Sequence, residues 1–97
     1  MLFALICNDK PGALQVRLDT RPAHVAFLEE LNAGKKLAFA GPLLGDDGKP
    51  TGSLVVLDVA DKAEAETLAK ADPYAKAGLF ASVEIRAWNW VFNKPAA

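Results

Sequence analysis

Leu2-Phe3-Ala4-Leu5-Ile6-Cys7 is an unbroken apolar run, closed by the turn-forming stretch Asn8-Asp9-Lys10-Pro11-Gly12, and this pattern predicts a buried first strand. Asp19 or Thr20 is then placed to cap a helix reaching about Ala33, with Pro22 tolerated in a first turn whose N–H groups lack intrahelical partners. Gly34 suits the left-handed position after the last turn, and Lys35-Lys36 complement the negative helix end. Leu37 to Leu44, containing Gly41-Pro42, and Thr51 to Val59 read as two strands joined through the polar turn Gly45 to Pro50, a hairpin. Asp61 with Glu64 imitates a capping box before the Ala-rich helix Lys62 to Ala71. Asp72-Pro73 should stop that helix, because a residue before proline avoids the α region. Val83, Ile85 and Ala87 alternate with Glu84, Arg86 and Trp88, giving a last strand that reaches about Phe92, and Pro95-Ala96-Ala97 reads as a frayed tail.

The resulting order βαββαβ predicts an α+β, ferredoxin-like fold, an antiparallel sheet with both helices on one face. At 97 residues the chain fits a single domain over residues 1–97, since two halves would each have a marginal core. The first strand is apolar at both alternating sets of positions, so the sheet face without helices needs a cover. A second copy of the chain supplies it most simply, and a homodimer is expected.

Composition narrows the partners. Eleven Lys and Arg against twelve Asp and Glu give a net charge of -1, and the basic residues are scattered from Lys10 to Lys94. No footprint for nucleic acid or a membrane surface follows from that pattern. The opening apolar run is too short for a transmembrane helix and lacks the basic flank of a signal peptide, so a cytoplasmic location is expected. Cys7 is the only cysteine, which rules out an intramolecular disulfide or a thiolate cluster, and it should be buried and inert. A single histidine and no phosphate loop leave no motif for a metal or another cofactor, and none is expected.

The topology gathers distant residues at one sheet edge: Arg21 and His24 from the first helix, Gly41-Pro42, Thr51-Gly52-Ser53, and Asp72-Pro73-Tyr74. His24, Leu28 and Leu31 share one helical stripe, with Arg21 three residues before His24, so His24 faces inward. Taken alone, a histidine on an apolar stripe is more often a core residue bonded to a backbone carbonyl, and an Asp before Pro commonly starts a turn. Together they form a pair with chemistry, because a carboxylate beside an imidazole fixes its tautomer and orients it as a base. Arg21, Ser53, Pro73 and Tyr74 are candidate substrate-binding residues, beside the ordinary roles of surface charge, turn and packing. Gly41 and Pro42 shape a wall by letting backbone approach closely.

The segments Arg21-Pro22-Ala23-His24, Ala40-Gly41-Pro42, Thr51-Gly52-Ser53 and Ala71-Asp72-Pro73-Tyr74, followed by Ala77-Gly78-Leu79-Phe80, resemble the YciI-like (YCII-related) proteins over nearly the whole chain. The resemblance implies a dimeric α+β barrel type of ferredoxin-like fold and a His–Asp active-site dyad that maps onto His24 and Asp72. One branch of that family is associated with dehydrochlorination of chlorinated hydroxyquinol-type aromatics. Two classes of function follow. One is a cofactor-independent enzyme acting by proton transfer (elimination or isomerisation) on a small cyclic or aromatic molecule. The other is a non-enzymatic, dimeric small-ligand-binding or accessory protein in which His24–Asp72 is a structural hydrogen bond.

Overall fold

The computed structural model describes residues 1–96, so Ala97, the end of the expected tail, lies outside the described residues. The elements are β1 (Leu2–Asp9), α1 (Leu14–Ala33), β2 (Leu37–Leu44), β3 (Pro50–Asp58), α2 (Lys62–Ala71), α3 (Pro73–Lys76) and β4 (Phe80–Trp88). The strands form one antiparallel sheet in the order β2-β3-β1-β4. This is the ferredoxin-like arrangement, with one short helix added between α2 and β4.

Alternation in the central strands divides the sheet into two apolar faces. Phe3, Leu5 and Cys7 of β1 pair with Leu57, Val55 and Ser53 of β3. With Leu31 of α1 and Ala65 of α2 the apolar members of this set make the core on the helix side. The other face carries Leu2, Ala4 and Ile6 against Leu54 and Val56. Phe39 of β2 and Trp88 of β4 meet over it edge to face, with ring centroids 5.7 Å apart. Among the described residues no helix is long and apolar enough to cross a membrane.

Three local expectations are corrected. α1 starts at Leu14, not at Asp19 or Thr20, so Pro22 lies inside the helix and no side chain caps its N-terminus. An interior proline costs about 3 kcal/mol, and what works against that cost is the packing of the helix's apolar residues Phe27, Leu28 and Leu31 on the core. The left-handed residue after α1 is Lys35 (φ 59°), whereas Gly34 has φ −81°. Lys36 N–H donates to Leu31 O and Lys35 N–H to Asn32 O, a Schellman closure whose C′ position falls one residue later than expected. The last strand also ends at Trp88, short of Phe92.

Candidate active site at the α1–α3 edge

The inward stripe of α1 repeats at intervals of four and three residues: Arg17, Arg21, His24, Leu28, Leu31. Its polar end faces α3 and the ends of β1 and β3. Asp72 has φ −58° and ψ 129°, the extended conformation a residue before proline prefers, and it therefore ends α2. Its carboxylate at once starts α3, where Oδ1 accepts the Tyr74 backbone N–H at 2.9 Å. The same oxygen lies 2.8 Å from His24 Nδ1. A carboxylate only accepts, so the Nδ1–H donates and the neutral ring keeps its lone pair on Nε2. Nε2 makes no hydrogen bond among the described residues, and His24 lines the adjoining cavity.

Tyr74 fixes the other face of this arrangement. Its ring stacks on the imidazole, centroids 3.9 Å apart and planes 18° from parallel. The Arg17 guanidinium lies 4.6 Å from the centre of the Tyr74 ring. Asp9, at the end of β1, holds that guanidinium in a two-point pair, Nε to Oδ2 at 2.7 Å and Nη2 to Oδ1 at 2.9 Å. Arg17 Nη2 also donates to Ser53 Oγ at 2.9 Å. Burial opposes the Arg17 charge, but the hydrogen bond to Asp9 and its charge outweigh that and raise the guanidinium pKa. Burial raises the Tyr74 phenol's pKa against the opposing pull of Arg17 and Arg21, so it stays protonated at neutral pH.

These side chains border a cavity of about 280 Å³. Of the residues singled out in the sequence, His24, Arg21, Gly41, Pro42, Ser53 and Tyr74 line it. Asp72 stands behind His24, and Pro73 is the first residue of α3 and does not line the cavity. Arg21 is exposed at the rim and makes no ion pair among the described residues. Cys7 is buried near the same charges, and burial first, then Asp72, pushes its thiol up to about 12, which leaves no thiolate nucleophile.

Sequence reasoning passes over Arg17 and Asp9. A start at Asp19 or Thr20 leaves Arg17 in a loop, although it precedes Arg21 by four residues and His24 by seven, and so continues the stripe that identified His24. Among the described residues no three His, Cys, Asp or Glu side chains cluster as a metal site.

The YCII-related domain matches residues 1–89 of the chain. Protein YciI of Escherichia coli O6:H1 is 35% identical over 98 residues, covering 95% of this chain and 100% of that protein. An uncharacterised protein of Haemophilus influenzae is also 35% identical over 98 residues, with the same coverage. Among solved structures, the 5-chloro-2-hydroxyhydroquinone dehydrochlorinase TftG of Burkholderia phenoliruptrix AC1100, in complex with 2,5-dihydroxybenzoquinone, is 40% identical. It superimposes with a TM-score of 0.83 over 92% of this chain and 94% of that one.

Proposed function

The chain belongs to the YCII-related family, and on that premise we propose that it is a cofactor-independent enzyme that moves a proton on a small cyclic or aromatic molecule, ending in elimination or isomerisation. The observation that carries the reading is the Asp72 Oδ1 to His24 Nδ1 contact of 2.8 Å. It leaves the basic Nε2 of a cavity-lining imidazole without a protein partner. In an elimination, Nε2 takes a proton from the substrate, the freed electron pair forms the new double bond, and the leaving group departs with its own pair. Asp72 holds the ring and stabilises the charge that the proton brings. The likeness to a dehydrochlorinase at 40% identity supports a small oxygenated ring as the substrate class. Arg21, Ser53 and Tyr74 are the proposed positioning residues, with Gly41 and Pro42 as the wall of the pocket.

The test is release of halide from chlorinated hydroxyquinols, compared between the wild-type chain and His24→Gln. Turnover in the wild type, lost in the variant with binding retained, is the expected result. Binding without turnover in either protein would leave a non-enzymatic ligand-binding protein.

The working unit is proposed to be a homodimer, two copies packed through the open sheet face. The support is the apolar set Leu2, Ala4, Ile6, Leu54 and Val56, together with Phe39 and Trp88, on a face that no helix covers. Light scattering is expected to give a mass near twice the 10.3 kDa of one chain. A value near 10.3 kDa across micromolar concentrations would overturn the dimer.

A further inference from the structure

At the end of the sheet opposite the His24 cavity, the face without helices carries a second hollow. Leu2, Asp58 and Trp88 form one cross-strand row there, since Leu2 pairs with Asp58 of β3 and with Trp88 of β4. Together with Met1, Ala38 and Trp90 they line a hollow of about 740 Å³. Phe39 meets Trp88 and Trp90 edge to face, with ring centroids 5.7 and 5.0 Å apart, and braces the aromatic wall. Beyond Trp90 the chain turns sharply: Trp90 Nε1 donates to Phe92 O at 2.7 Å, and Asn93 takes a left-handed φ of 60°. Trp90 and Lys94, on either side of the turn, line the hollow, whereas Val91 and Phe92 do not. The turn drives these two outward to 69% and 81% exposure, the highest of any large apolar side chain among the described residues. The reversal that Trp90 holds therefore keeps Phe92 out of the hollow of its own chain and leaves it in water, where its apolar surface is unfavourable.

We infer that Val91 and Phe92 form an arm that inserts into this hollow on a second copy of the chain, while the second copy returns the same contact. The projecting pair and the hollow lie side by side on one surface, so a two-fold related pair of chains satisfies both at once and closes on itself. The hollow adjoins the apolar set Leu2, Ala4, Ile6, Leu54 and Val56, and the arm thus clamps the edge of that same interface. Charge does not oppose it, because the Asp58 carboxylate in the hollow is already met by the Met1 amine at 3.1 Å. This deepens the homodimer proposed above and rests on it for the identity of the partner.

The test is sedimentation velocity of the full chain over a range of concentrations, wild type against Phe92→Ser. The side chain is exposed in the single chain, so each copy should keep its fold, which a circular dichroism melt checks. Since an aromatic anchor is lost twice in one dimer, the dissociation constant should rise by roughly 10²-fold or more. Position is read by mixing Val91→Cys, which keeps the phenylalanine, with Ala38→Cys and adding a short bismaleimide, the natural Cys7 being buried. Covalent heterodimers are expected from that pair, and none when Ala38→Cys is replaced by Glu29→Cys on the exposed side of α1. A wild-type chain that stays monomeric throughout overturns the dimer and the arm together. A wild-type dimer whose dissociation constant is unmoved by Phe92→Ser, or a failure of Val91→Cys to join Ala38→Cys in it, overturns the arm and leaves the dimer standing.

Discussion

Arg17→Met is expected to lower the unfolding free energy by about 3–5 kcal/mol, because it leaves the Asp9 carboxylate buried without its counter-ion. The side chains of Arg17 and Asp9 are 4% and 7% exposed, and the pair is closed at two points. In a chain of this size such a loss should bring the melting temperature down by more than about 10 °C. The companion double variant Arg17→Met with Asp9→Leu should recover most of the loss, since buried ion pairs replaced by apolar groups of similar volume are close to neutral. Thermal melts of the wild type, the single variant and the double variant decide it. A loss below about 1 kcal/mol in the single variant, the value of a solvated surface pair, would show that water reaches the pair in solution.

Asp72→Asn is expected to reduce turnover by about 10²–10⁴-fold, the usual range for a general acid–base contribution. The variant separates two roles that one oxygen performs. An amide oxygen still accepts the Tyr74 N–H, so α3 keeps its cap and stability should change by less than about 1 kcal/mol. What is lost is the negative charge behind the imidazole and the certainty that Nδ1 carries the proton. Nitrogen shifts of the His24 ring should report the Nδ1–H tautomer in the wild type and a mixture in the variant. A purely structural role predicts normal turnover after Asp72→Asn, and reduced stability only after Asp72→Ala, which removes the cap as well.

The parts of this fold that were legible from sequence are those whose signals are local. β2 and α2 begin and end where the pattern places them, at Leu37–Leu44 and Lys62–Ala71, because a polar turn, an Asp61 cap and a proline stop mark their limits. The start of α1 carries no such mark. Ala13 donates no capping side chain, and the first turns are held instead by the Arg17–Asp9 pair, which joins a helix to the end of a strand. In sequence those two charges look like solvated ones, and only the fold shows them buried. The same holds for α3: Asp72-Pro73 reads as a stop, and the restart depends on the Asp72 side chain turning back onto Tyr74 N–H. His24 and Asp72 were legible as a pair because the topology brings α1 and the end of α2 to one edge. Their partnership with Arg17 was not, since it runs through the Tyr74 ring and no spacing in the chain encodes it.

Whether His24 acts as a base on a bound oxygenated ring is read out by exchange of a ring proton of hydroxyhydroquinone in deuterated buffer without oxygen, followed by proton NMR. Exchange reports proton transfer by itself and needs no leaving group. The wild-type chain is expected to accelerate deuterium entry at a ring carbon, and His24→Gln to lose that acceleration by about 10²-fold or more while still binding the ring. Equal exchange rates with the two proteins, both shown to bind, would exclude His24 as the base.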